Sequence, residues 1–191
     1  MLYRDSETIA SALSKYYEIN GLPADGGGRD KWARYKIGPF LLIGFPNFSH
    51  RMQAIARHDI HHVLNNFDTS SLGEGLIAAW ELGSGCSKYW ISWCMEPQAL
   101  WWGIIFAPRL AFRNFIIGRN SKNLFTEANI EKHLSKTVGD LRSEFLPNRQ
   151  VEAHVLDFFL FFLSGLLGVL MILLFIPLFS FFTLLGLILA L

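Results

Sequence analysis

A chain of 191 residues has room for one core-bearing domain and some further length. Lys+Arg 17 against Asp+Glu 16 leaves a formal charge of +1, which excludes the broad basic field of a general nucleic-acid binder. Cys86 and Cys94 are too few for a disulfide framework and lack zinc-ribbon spacing, so both read as reduced structural thiols.

In chain order, Asp5 to Tyr17 carries apolar residues at helical spacing behind acidic first-turn residues and predicts an opening helix. It has no apolar run of the kind a signal peptide needs, and its early Asp5 and Glu7 argue against a transit peptide. Asn20 to Asp30 is a loop by composition. Arg34 to Phe45 places β-branched and aromatic residues around Gly38-Pro39, which suits a small β-hairpin or an extended arm. Phe48 to Leu64 predicts a helix, and Ser70/Ser71 open another that runs to about Leu82, where Gly83 and Gly85 stop it. The Trp-rich stretch punctuated by Pro97 and Pro108 predicts two helices, and Thr126 to Phe145 a polar amphipathic one.

Phe158 to Leu191 contains no charged residue. A single span uses roughly 20 apolar residues, so this run is long for one upright helix and short for two. Pro177 suggests two short helices, about 158–175 and 178–190, folded as a hairpin; one tilted, kinked span is the alternative. The expected class is mostly α: a helical domain over 1–150 with a small β-hairpin, and a C-terminal hydrophobic helical hairpin over 155–191 as a membrane anchor. Basic residues such as Arg142 and Arg149 precede the anchor and favour the cytoplasmic face, or its matrix-like equivalent, for the domain. Ser164, Gly165 and Gly168 are small enough for close helix approach and leave room for a homo-oligomer.

The run HDIHHVLNNFDTSSLGE, His58 to Glu74, stands out from this apolar background. On a helix His58 and His62 lie one turn apart on a common face with Asp59 beside them, and Glu74 at the start of the next helix can point back at the pair. Two nitrogens with one or two carboxylates suit a divalent metal and leave a position for water or substrate. A hydrogen-bonded patch over a helix corner is the plain alternative. A zincin needs Glu where Asp59 stands, and a membrane di-iron hydroxylase needs more clustered histidines than His50, His133 and His154 offer. His61 falls off the shared face and reads as a bystander.

His58-Asp59-x-x-His62, eleven residues, then Glu74 resembles the H-D-x-x-H-x(11)-E signature of the Coq-four family of coenzyme Q biosynthesis proteins. Gly38-Pro39 and Phe45-Pro46-Asn47 before the motif, and Gly118-Arg119, Asn123-Leu124 and Leu141-Arg142 after it, extend the resemblance over roughly Gly38 to Phe145. The resemblance implies a mostly helical, membrane-associated protein of ubiquinone biosynthesis with a divalent metal, zinc first and iron, manganese or magnesium otherwise, on His58, Asp59, His62 and Glu74. It implies action on, or presentation of, a prenylated hydroxybenzoate beside other quinone-biosynthesis enzymes, with oxidative decarboxylation at the ring carbon as the candidate reaction. Arg113 and Arg119 are the candidate binders of an anionic head group. The other readings are a non-catalytic lipid-binding scaffold and a metal-dependent lipid hydrolase or hydroxylase. No catalytic residue is assigned, and no nucleic-acid partner is expected.

Overall fold

The computed structural model describes residues 2–27, 30, 32–37, 41–147 and 151–189, with the strands and residues 176–189 described by backbone alone. It is mostly α-helical. Helix α1, Ile9–Ile19, starts later than its acidic lead suggested, because the Thr8 side chain accepts a hydrogen bond from the Ser11 N–H and caps it there. Strands β1, Trp32–Ile37, and β2, Leu41–Pro46, form an antiparallel pair in the register Trp32 to Pro46 and Ile37 to Leu41. The Gly38-Pro39 turn lies outside the described residues.

Helix α2, Ser49–Asn65, ends on Asn66 in the left-handed conformation at φ 57°. Ser70 caps α3, Ser71–Ser84, through its hydroxyl and the Gly73 N–H. Helix α4, Trp90–Phe106, runs through Pro97, and Pro108 opens α5, Pro108–Arg119, at a position where its missing N–H costs nothing. The expected single helix over Thr126 to Phe145 is instead a 3-10 turn, Leu124–Thr126, a short α6, Glu131–Leu134, and α7, Val138–Phe145. The break is local: Thr137 and Asp140 make a reciprocal capping box that restarts the helix.

Two apolar clusters hold the domain. One joins α1, α2 and α7 around Tyr16, Ile60, Leu64 and Leu141; the other joins α3, α4 and α5 around Ala79, Leu100 and Phe115. Helix α3 crosses α4 with backbones in contact, since a Cβ on Gly75 would overlap the Gly103 nitrogen. Arg142 ties α7 to the end of α2, donating to the Leu64 and Val63 carbonyls at 2.9 and 3.1 Å and pairing with Asp5.

The C-terminal hydrophobic run is one helix, α8, Val155–Leu189, and not a hairpin. Proline removes a single backbone hydrogen bond, whereas reversing the chain there would leave several polar backbone groups unpaired among apolar side chains. Val155–Phe175 alone is long and apolar enough to cross a membrane. This part of α8 also packs on the domain. Gly168 sits on the Pro97 carbonyl, Trp101 Nε1 donates to the Gly165 carbonyl at 3.0 Å, and Arg119 pairs with Asp157 at 2.5 Å. Of the small residues that leave room for helix association, Gly165 and Gly168 thus meet α4 of the same chain, while the Ser164 hydroxyl donates to the Leu160 carbonyl of its own helix.

Candidate metal centre

The centre is built where α2, α3 and α4 face one another. The 3.6-residue period puts His58 and His62 on one stripe of α2, and their Nε2 atoms are 3.1 Å apart. Glu74, in the first turn of α3, spans the pair: Oε2 is 3.5 Å from His58 Nε2 and Oε1 is 3.6 Å from His62 Nε2. Metal–ligand bonds of about 2.0–2.1 Å at tetrahedral angles separate ligand atoms by roughly 3.3 Å. Glu74 thus turns one oxygen toward each histidine at distances close to that spacing, and one ligand atom from each of the three residues lies within 4.8 Å of the others. His58, His62 and Glu74 therefore fit a small divalent cation with a fourth position left for another ligand.

Partners behind the histidines set their tautomers. His62 Nδ1 faces the Phe67 carbonyl at 3.4 Å, and a carbonyl can only accept, so the proton sits on Nδ1 and Nε2 offers its lone pair. His58 Nδ1 is 3.1 Å from both carboxylate oxygens of Glu81. Glu81 in turn accepts from His61 Nδ1 at 2.6 Å, while the Leu124 N–H donates to His61 Nε2 at 2.9 Å. The chain Leu124, His61, Glu81, His58 thus aims His58 Nε2 toward Glu74, as a carboxylate behind a ligating histidine does in metal sites. His61 is no bystander: it is fully buried and fixes the carboxylate that orients a candidate ligand.

Burial alone would lower the His58 pKa, but the Glu81 and Glu96 carboxylates outweigh it and raise it well above the usual imidazole value. Burial lowers His61, keeping it neutral. Hydrogen bonds from His58 and His62 overcome the burial of Glu74 and hold its carboxyl well below the ordinary range. Glu96, on α4, is raised well above it by burial and by the charge of Glu81. Glu96 Oε1 is 3.8 Å from His58 Nδ1.

Asp59 lies on the adjoining wall, its Oδ2 accepting from the Tyr17 hydroxyl at 3.1 Å. It is absent from the group of ligand atoms that lie within 4.8 Å of one another, so the geometry places it beside the expected metal rather than on it. Burial raises its carboxyl to about 6. Arg113 and Arg119 do not reach the site. Arg113 is exposed on α5 and Arg119 is committed to Asp157 of α8, whereas among the described residues Arg51 is the arginine on the cavity lining. The Arg113 and Arg119 side chains leave α5 in different directions, about 120° apart, and only the packing of α8 shows that Arg119 is taken up by Asp157.

The cavity has a volume of about 670 Å³. His58, Asp59, Glu74 and Glu96 form its polar end, while Ile91, Met95, Ala99 and Trp102 make an apolar wall from α4. Sequence reasoning missed Glu81 and Glu96. The signals were present: Glu81 is seven residues, two helical turns, from Glu74, and Glu96 is the lone charged residue of α4. No protein family, curated protein or solved structure matches the chain. Fold and site together define a mostly α-helical protein with a His/Glu cluster of metal-binding geometry at the end of a half-apolar cavity, and one helix suited to a membrane.

Proposed function

We propose that this chain is a membrane-associated, metal-dependent protein of ubiquinone biosynthesis, as its His58 to Glu74 motif implies, and that it acts on a prenylated hydroxybenzoate. The observation that carries the proposal is the ligand cluster of His58, His62 and Glu74 on a cavity that has an apolar stretch of wall from α4, Ile91, Met95, Ala99 and Trp102. Such a cavity suits a molecule with an anionic aromatic head and a hydrocarbon tail. A divalent cation, zinc first, would be held by these three residues and would supply a Lewis acid for a carboxylate or phenolate oxygen.

The chain's own groups do the rest. Glu81 and His61 hold His58 in one tautomer. Burial and the charge of Glu81 raise the Glu96 carboxyl well above its usual range at the polar end, and burial raises Asp59 to about 6 on the adjoining wall, so the first is suited to donate a proton and the second to accept one as the ring loses its carboxyl group. The apolar α4 wall excludes water from the reacting carbon. The domain faces the cytoplasm or its matrix equivalent, beside other enzymes of the pathway.

A scaffold role is the second reading. Helix α3 packs chiefly on α4 and α5 and only slightly on α2, and the His/Glu cluster lies in that slender seam, where a metal would staple the two. Elemental analysis and lipid extraction with mass spectrometry on the purified full chain separate the readings. Bound metal, a prenylated benzoate and carbon dioxide release that vanish together in His58→Ala support catalysis. Metal and lipid without turnover support the scaffold, and neither metal nor lipid sinks both.

A further inference from the structure

The outer edge of α4 carries a row of large apolar side chains that are left exposed among the described residues. Trp102, Ile105 and Phe106 are 46%, 60% and 58% exposed, and the Trp102 and Phe106 rings stack on each other at 5.8 Å. Leu110, just beyond on α5, is exposed as well. Single exposed apolar residues need no explanation, but a contiguous group on one edge does.

The neighbours of this edge say what covers it. At 100° per residue, Pro97, Trp101 and Ile104 occupy the side of α4 that meets α8, through Gly168 and Gly165. Ile105 comes next around the helix, and Trp102 and Phe106 follow it. Trp102 is also on the wall of the cavity. One apolar surface therefore runs from α8 across Ile105 to Trp102 and the rim of the cavity. Helix α8 is apolar on its free sides too, with Phe158, Phe162, Leu166, Leu170 and Leu173 all exposed. Gln98 shares this side of α4 two turns before Ile105, its amide donating back to the Cys94 carbonyl, and a membrane that surrounds α8 reaches the α4 edge across Ile105. Arg109 and Arg113, exposed on either side of Leu110, flank the surface where lipid phosphates would lie.

We propose that the Trp102, Ile105 and Phe106 edge of α4, with Leu110, is immersed in the lipid bilayer alongside α8, so that the cavity rim meets the hydrocarbon layer directly. The occupant is the bilayer rather than a protein, because the edge continues the surface of the helix that is itself apolar enough to cross one. The inference rests on the membrane part of the proposed function and is independent of its metal chemistry. It gives Arg113 a role in holding head groups of the membrane in place of the substrate.

Nitroxide labels on the full chain in liposomes of phosphatidylcholine and phosphatidylglycerol provide the test. Ile105→Cys and Phe106→Cys are labelled in a Cys94→Ser background, with Leu166→Cys on α8 and Lys132→Cys on α6 as the lipid and water references. Labels at 105 and 106 should collide with oxygen more readily than with a water-soluble nickel complex, as at 166, and 132 should show the reverse. Readier collision with nickel at 105 and 106 overturns the proposal in favour of water, and protection from both quenchers overturns it in favour of a protein partner or second copy. A second measurement needs no label: Trp102→Phe should reduce the fraction of tryptophan emission that brominated lipids quench, and an unchanged fraction counts against immersion. Lipid-immersed labels on a chain that binds no metal would refute the catalytic reading alone, and water-exposed labels on a metal-loaded, active chain would refute this one alone.

Discussion

His61 donates its Nδ1 proton to Glu81 across 2.6 Å inside a part of the protein that water does not reach. The bond needs no titration to be oriented, because the Leu124 N–H occupies the other ring nitrogen. Its consequence lies one residue away: a fixed Glu81 fixes His58.

Replacing His61 by Leu should leave Glu81 short of a donor and the Leu124 N–H unpaired. The cost to folding is about 2–4 kcal/mol, measurable by denaturant unfolding. Metal affinity should also fall about 10–100-fold, read by competition with a chromogenic chelator. An unchanged affinity in a folded variant would show that Glu81 does not act through His58.

His58→Ala and Glu74→Gln remove corners of the ligand triangle. Each should reduce bound metal from one ion per chain to a small fraction of that, by elemental analysis after gel filtration. Asp59→Asn should retain the metal, since Asp59 stands outside the triangle. Loss of metal in Asp59→Asn would put that carboxylate back among the ligands.

Metal binding should strengthen with pH. The raised pKa of His58 means that the metal-free protein carries a proton where a cation needs a lone pair. Each pH unit below that pKa should therefore weaken binding about tenfold, with one proton released per ion. Titrations at pH 6, 7 and 8 in two buffers of different ionisation enthalpy would count the proton directly.

Asp59 should make the metal-free fold less stable as pH rises through the acid range. Its carboxyl is raised from 3.8 to about 6, so the native state holds a proton that the unfolded chain releases. That contribution is fully present below pH 3.8 and is lost as pH rises to about 6, a change of about 3 kcal/mol at most. Asp59→Asn should flatten this slope in unfolding free energies collected from pH 4 to 7, and a wild-type slope that survives the substitution would assign it elsewhere.

Gly75→Val should separate α3 from α4, because any Cβ there meets the Gly103 backbone. A loss of about 3 kcal/mol or more is expected, seen as a lower midpoint of thermal unfolding. Since Glu74 and Glu81 ride on α3 and Glu96 on α4, the folded fraction should bind metal more weakly as well.

Local features carried much of the fold in readable form. Ser70 as a cap, Pro108 at a helix start and the charge-free tail each act over a few residues, and each lies where the chain pattern places it. Thr137 was equally local but was passed over inside a stretch that looked uniformly amphipathic, and the helix breaks there. Pro177 misled in the other direction, since a proline's effect on a helix depends on what surrounds the freed backbone groups.

That His58 and His62 share a face follows from spacing alone, because four residues on a helix bring two side chains together whatever the rest of the chain does. The chain pattern also shows that Glu74 could return to them, through a short turn and a serine cap, and that the tail is too apolar for water. What stands behind those ligands depends on how the helices pack. Glu81 and Glu96 meet because α3 and α4 pack at close range through Gly75 and Gly103, and His58 and His61 reach them from α2 across a slighter contact; a contact between helices depends on crossing geometry that no local spacing encodes. The same packing turned Arg119 away from the cavity onto Asp157, and set Trp102 on the cavity wall while its neighbour Trp101 meets α8.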